Sequence, residues 1–288
     1  MKQPSHKSMA PWQSSFIKTH TLTDSYLSDA EPIVQWVKAE YIKMMGLPFC
    51  LGLNGAQGSG KSTLAAYLAA ALGNDGLSVA VVSIDDFYLS PEERQMLATN
   101  QHPLLKTRGV PGTHSILQAI DVVDSFKAQR QFILPRFDKS QDKPFKSQYW
   151  QKVETPPDIL ILEGWCIGLK PEPNARLQSP VNSLEAKYDN SGAYRHYVNT
   201  CLAQDYQQLF SLLDKLIYLN VQAFDRVYQW RLQQERQLKV NLGDGMTDNE
   251  VAEFIQYFER LTVWGFASLP KQSDLTVRVN EAHRFIFE

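Results

Sequence analysis

The sequence predicts an α/β fold built on a mainly parallel sheet, and three observations carry that reading. Four short apolar runs, Phe49–Leu53, Ser78–Ser83, Asp158–Leu162 and Leu216–Leu219, have the length and apolar character of buried strands. Stretches with helical spacing and capping signals separate them, the alternation expected of strands crossed over by helices. A glycine-rich turn, Gly55 to Gly60, joins the first run directly to an alanine- and leucine-rich helix.

The elements follow in order. Ser28 and Glu31 have capping-box spacing and Pro32 falls in the first turn, so a helix is expected to start at Ser28. Ile33, Val37 and Tyr41 continue it at helical spacing, and Gly46-Leu47-Pro48 ends it. After the first strand and the glycine turn, Lys61 to Leu72 reads as a helix closed by Gly73. Ser90-Pro91-Glu92-Glu93 is a further helix start, Thr113 to Phe126 a helix, and Phe132-Ile133-Leu134 a short strand before Pro135. Lys170 to Ser191, rich in Pro, Asn, Ser and charge, reads as a long loop or insertion. Two long helices are expected over Phe224–Leu238 and Thr247–Trp264, the second opened by Thr247 and Glu250. Leu275–Val279 and Arg284–Phe287 read as two strands around Asn280-Glu281-Ala282.

Composition narrows the function. The chain has 288 residues, 43% of them hydrophobic, enough for a real core. At about 150 residues per domain two domains are conceivable, but no stretch reads as a linker. One elaborated domain over residues 28–288 is expected, preceded by a loosely ordered arm over 1–27 that Trp12, Phe16 and Ile17 can pin down. With 29 basic and 31 acidic side chains, neither nucleic acid nor an anionic membrane is an expected partner. The three cysteines, Cys50, Cys166 and Cys201, are scattered, which argues against a disulfide framework or a zinc site and suits a reducing cytoplasm. The first 23 residues lack the apolar core of a secretory signal, and no run reaches the roughly 20 residues of a membrane span.

One motif dominates. Gly55-Ala56-Gln57-Gly58-Ser59-Gly60-Lys61-Ser62, followed by Thr63, fits G-x-x-x-x-G-K-[ST] between a strand and a helix. Its glycines let successive backbone N–H groups face one anion, and the helix N-terminus adds its dipole. Lys61 supplies a charge for the outer phosphates of a nucleotide and Ser62 a hydroxyl for Mg²⁺. Glu163, at the end of the third strand, belongs to the same carboxyl edge of the sheet and can hold the metal's shell. Asp85-Asp86 follow the second strand at that edge, and one of them can accept the proton of an attacking hydroxyl. Arg108, His114, Arg136 and Lys139 are candidates to hold a small anionic acceptor, with Asp138 orienting a basic neighbour or a hydroxyl. Of Arg226, Arg231 and Arg236 on one helix, at most two can face a common site, and Arg231 is the choice. Trp165 and Tyr88 are candidate pocket linings, although aromatics at such positions are more often core; Gly243, Gly245 and Met246 read as a mobile segment beside the lid.

These residues resemble a family. S-I-D-D-F-Y, Ser83 to Tyr88, is similar to the segment after the second strand in the uridine kinase, pantothenate kinase and phosphoribulokinase group of P-loop kinases. Within that group the likeness is closest to D-glycerate 3-kinases and their bacterial and fungal kinase-like relatives. It runs through G-A-Q-G-S-G-K-S-T, R-G-V-P-G-T-H, P-R-F-D-K-S, L-E-G-W, W-R-L-Q-Q-E and G-M-T-D-N-E-V. The resemblance implies a P-loop NTPase fold with a five-stranded, mainly parallel sheet, helical lid and loop insertions. It further implies ATP with Mg²⁺, Asp85 as catalytic base, and a small hydroxylated acceptor such as D-glycerate. A P-loop kinase for another metabolite, a P-loop ATPase or switch acting through a partner, and a non-catalytic nucleotide-binding scaffold stay open as alternatives. No N-K-x-D guanine signature occurs. The sequence sets no oligomeric state.

Overall fold

The computed structural model describes residues 9–242 and 245–287. Its strands are β1 (Phe49–Gly55), β2 (Val79–Ser83), β3 (Phe132–Leu134), β4 (Phe137–Asp138), β5 (Lys143–Pro144), β6 (Gln151–Val153), β7 (Ile159–Gly164), β8 (Lys215–Asn220), β9 (Leu275–Val279) and β10 (Phe285–Ile286). Its helices are α1 (Pro11–Thr19), α2 (Ser25–Lys43), α3 (Lys61–Asn74), α4 (Pro91–Asn100), α5 (Ile116–Lys127), α6 (Ser183–Tyr188), α7 (Ala193–Ala203), α8 (Asp205–Ser211), α9 (Phe224–Leu242) and α10 (Asp248–Ser268).

The main sheet runs β10-β9-β8-β1-β7-β2. Five strands are parallel, as expected, and β10 adds a sixth, antiparallel edge strand paired to β9 through Phe285–Val279. Both faces are covered, which is why the central strands read as unbroken apolar runs. Phe49, Leu51, Leu53, Ile159, Ile161, Ile217 and Leu219 point into one cluster with α2 and α3. The alternate residues Cys50, Leu160, Leu162, Leu216 and Tyr218 point into a second cluster with α5, α7, α8 and α10. Because β1, β2, β7, β8 and β9 are parallel, their carboxyl ends share one edge, where ligands of such sheets bind.

Three expectations are revised. The second helix begins at Ser25, and Pro32 lies inside it, so Ser28 is no cap: its Oγ donates to the Ser25 carbonyl. Burial of Tyr26 and Ala30 on the face that carries Ile33 and Val37 extends the helix upstream. Within the N-terminal arm the described part holds α1, whose Trp12 and Phe16 rings pack against Tyr67. The helix expected from Thr113 starts at Ile116, because Thr113 Oγ1 instead closes a turn with Gly109 N and the Val110 carbonyl. The stretch Lys170–Ser191 is more than a loop. It contains α6 and a buried ionic network in which Glu172 and Glu185 meet Arg260 of α10, with Asp189 on Arg195 beside it. Among the described residues no helix is long and apolar enough to cross a membrane.

Candidate active site

The chain leaves β1 at Gly55 and enters α3 at Lys61, wrapping a tight loop whose backbone requires glycine. Gly58 (φ +77°) and Gly60 (φ +84°) are left-handed, and a Cβ on Gly58 would stand 2.5 Å from Trp230 Cβ. The loop is clamped from the far side as well: His283 Nε2 donates to the Gly58 carbonyl at 3.0 Å, and its ring lies against Trp230. No side chain caps α3, so the N-terminal dipole end is left for an anion. Ser59 Oγ and Gln57 Oε1 are buried in the loop without a partner among the described residues.

Beside the loop, β7 pairs with β1 and brings Glu163 opposite Leu53. Ser62 Oγ donates to Glu163 Oε1 at 2.9 Å, and Glu163 Oε2 is buried with no partner among the described residues. A hydroxyl and a carboxylate with one free oxygen next to an anion-binding loop suit Mg²⁺, which takes few protein ligands and fills its shell with phosphate oxygens and water. The two residues named for the metal are therefore adjacent and chemically matched to it.

After β2 a short 3₁₀ turn, Ile84–Phe87, is set by Ser83 Oγ accepting from Asp85 N at 3.2 Å. The turn sends its two aspartates in different directions. Asp85 lines a cavity of about 850 Å³ together with Gln57, Tyr88, Arg108, Lys139 and Arg231. Its Oδ1 accepts from Tyr88 Oη at 2.8 Å and its Oδ2 from Lys139 Nζ at 2.6 Å. Burial pushes the Asp85 carboxyl up, but the Lys139 and Lys61 charges and the two hydrogen bonds outweigh it and bring its pKa down to about 2. Asp86 instead braces the fold: it accepts from Ser83 N, Arg136 Nη1 and Phe137 N, and burial keeps its pKa above the ordinary value despite Arg136.

The acceptor candidates divide. Arg108 and Lys139 line the cavity with Asp85; Arg108 Nη1 pairs with Asp142 Oδ1 and its Nη2 donates to the Lys139 carbonyl. Three others do not reach it. Arg136 is committed to Asp86 and to Gln151 Oε1. His114 is buried against Tyr88, with Nδ1 2.5 Å from Tyr206 Oη, and burial drives its pKa down to about 4, so it is a neutral core residue. Asp138 is turned away: its Oδ1 accepts from Ser140 N, Ser140 Oγ and Gln141 N, and the Ser140 hydroxyl chiefly holds its carboxyl below the usual range. That side chain shapes a turn.

On α9, Arg231 alone of the three arginines lines the cavity, paired with Glu235 and lying over the Phe254 ring. Burial lowers its pKa. Arg226 and Arg236 pair elsewhere, with Glu281 and Asp248. Trp165 is core, its Nε1 donating to the Gly109 carbonyl, whereas Tyr88 reaches the cavity. Gly245 and Met246 border the cavity, with Met246 N donating to Glu235 Oε2, and Gly243 lies outside the described residues. Arg94, Asp142 and Phe258 also line it and carry no local sequence signal; Glu235, the last residue of W-R-L-Q-Q-E, lines it too, although the sequence does not single it out as a site residue.

No family model matches the chain. It is 37% identical over 225 residues to the uncharacterized kinase mug58 of Schizosaccharomyces pombe, covering 75% of this chain and 80% of that protein. It is 28% identical over 221 residues to the chloroplastic D-glycerate 3-kinase of Arabidopsis thaliana, covering 73% of this chain but 46% of that longer protein. Among solved structures, D-glycerate 3-kinase from Cryptococcus neoformans var. grubii superposes with a TM-score of 0.76 at 26% identity, over 90% of this chain and 97% of that one.

Proposed function

The chain belongs to the family of P-loop kinases that includes D-glycerate 3-kinase and its fungal kinase-like relatives, and we propose that it transfers the γ-phosphoryl group of ATP to a hydroxyl of a small hydroxy acid, D-glycerate first among them. The observation that carries this is the cavity beside the phosphate loop, where the Asp85 carboxylate stands with Arg108, Lys139 and Arg231 in the same lining, Asp142 and Glu235 pairing with the two arginines. A carboxylate to receive a proton and an arginine to receive an anion are what a hydroxy acid requires of its site.

In this reading the loop Gly55–Thr63 holds the phosphates through backbone N–H groups and Lys61. Ser62 and Glu163 hold Mg²⁺, which neutralises phosphate charge when bound. Arg108 orients the acceptor by its carboxylate. Asp85 takes the hydroxyl proton as the acceptor oxygen bonds to the γ-phosphorus and the bond to the leaving ADP oxygen breaks. Arg231 stabilises the charge on the moving phosphoryl group, and Tyr88 keeps Asp85 aimed.

The test is ADP release with Mg·ATP across D-glycerate, L-glycerate, pantothenate, uridine, ribulose 5-phosphate and water alone, in the wild type and in Asp85→Asn. The expected result is saturable turnover with D-glycerate giving 3-phosphoglycerate. Asp85→Asn should lose about 10²–10⁴-fold in kcat while binding ATP normally. Equal rates with every acceptor and with water would mean an ATPase, and full activity in Asp85→Asn would remove Asp85 from the base role.

A further inference from the structure

One hairpin already occupies both halves of the acceptor cavity. It is formed by β4 and β5 and spans Phe137–Pro144. Its Lys139 Nζ sits on Asp85 Oδ2 at 2.6 Å. Its Asp142 accepts Arg108 Nη1 on Oδ1 and Arg94 Nη2 on Oδ2, the latter at 2.6 Å. The carboxylate expected to meet the acceptor's hydroxyl and the guanidinium expected to meet its carboxylate are thus both satisfied from within the chain.

The hairpin is firmly rooted and lightly held at its tip. At the root, Phe137 N donates to Asp86 Oδ1 and Phe145 N to the Arg136 carbonyl. The Asp138 turn sets the direction of the tip. Lys139 and Asp142 keep 58% and 44% of their side-chain surface in water, so their pairs are screened and exchangeable. Arg94 is almost fully buried and also donates to the Leu89 and Lys106 carbonyls. Asp142 can therefore give up Arg108 through Oδ1 and keep Arg94 through Oδ2.

We propose that Asp142 and Lys139 determine acceptor specificity as internal stand-ins that the acceptor must displace. Resting on the kinase reading above, the exchange runs as one carboxylate for another: the acceptor's carboxylate replaces Asp142 on Arg108, and its hydroxyl replaces the Lys139 ammonium on Asp85. A neutral polyol has no charge to offer Arg108, leaves the Asp142 pair intact, and so leaves the hairpin closed over Asp85. Removal of Lys139 from Asp85 also raises the basicity of that carboxylate at the moment the hydroxyl arrives. The other groups that face Asp85 are Lys61, Tyr88, His114, Cys166 and Arg231, and none of them belongs to the hairpin.

The experiment compares wild type, Asp142→Asn and Lys139→Met with D-glycerate, with its neutral counterpart glycerol, and with water, each variant first shown to melt cooperatively. Asp142→Asn removes the charge of the internal competitor and is expected to lower the KM for D-glycerate by about two- to fivefold, the range for a half-exposed ion pair. A merely structural role for Asp142 would raise that KM instead. Lys139→Met is expected to raise ATP hydrolysis in water and to narrow the preference for D-glycerate over glycerol. If the wild type phosphorylates D-glycerate while Asp142→Asn, fully folded, shows an unchanged or higher KM, the stand-in role is overturned and the kinase reading survives. If the wild type uses glycerol and no hydroxy acid, both fall.

Discussion

Replacing Arg260 by methionine tests how the region Lys170–Ser191 is held and what that does for the site. Arg260 is buried on α10, where its Nε and Nη2 donate to Glu185 at 2.7 Å each and its Nη1 reaches Glu172 at 3.4 Å. It also caps the Arg176 and Ser179 carbonyls at 3.1 and 2.7 Å. The Glu172 and Glu185 side chains are 0% and 3% exposed, so water cannot take over when the guanidinium goes. Glu172 keeps Arg176 Nε at 2.9 Å, whereas Glu185 loses its cation. Breaking a buried pair from one side costs about 3–5 kcal/mol. With an unfolding entropy near 0.6 kcal/mol/K for a chain of this length, Tm should fall by about 5–8 °C. The assay is thermal unfolding followed by circular dichroism at pH 7. The double variant Arg260→Met, Glu185→Gln should recover part of the loss, because no buried charge is then stranded on Glu185. α10 also carries Phe254 and Phe258 into the cavity wall, so the KM for the acceptor should rise while that for ATP stays put. A Tm shift below about 1 °C, or a double variant no more stable than the single, would refute the account of a buried, uncompensated carboxylate.

Two further outcomes follow from the same geometry. Gly58→Ala puts a Cβ 2.5 Å from Trp230 Cβ at a left-handed backbone position, so nucleotide titration should show ATP binding weaker by about 5- to 150-fold, from strain on the order of 1–3 kcal/mol. His114 has a folded pKa near 4 against an ordinary 6.5, so below pH 6.5 the unfolded chain binds a proton that the native state refuses. Stability should therefore fall as pH drops from 6.5 towards 4, by about 2 kcal/mol on going from pH 7.5 to pH 5. Denaturant midpoints at those two pH values should separate less in His114→Gln than in wild type, and equal separations would count against the buried neutral histidine.

What the sequence determined by itself is the chemistry that contiguous residues carry. The phosphate loop, its strand and its helix lie within residues 49–74, so spacing alone places Lys61 and Ser62 at a helix N-terminus. Asp85 and Glu163 were legible for a related reason: each directly follows an apolar run, and parallel strands bring all such ends to one edge. The tertiary structure decided everything that depends on a partner far along the chain. Arg108, Arg136 and His114 are alike in sequence as basic residues in turns. Asp142, Asp86 and Tyr206, lying 34, 50 and 92 positions away, send the first to the cavity, the second to a brace and the third into the core. Arg231 was separable from Arg226 and Arg236 only through packing of α9 against Phe254. The polar stretch Lys170–Ser191 reads as loop because composition reports the number of charges and not their pairing. Arg260, from 75 to 88 positions further on, is what lets Glu185 and Glu172 be buried. A charge on a local pattern is free to face water or a partner, and the low dielectric and fixed geometry of the folded chain choose between them.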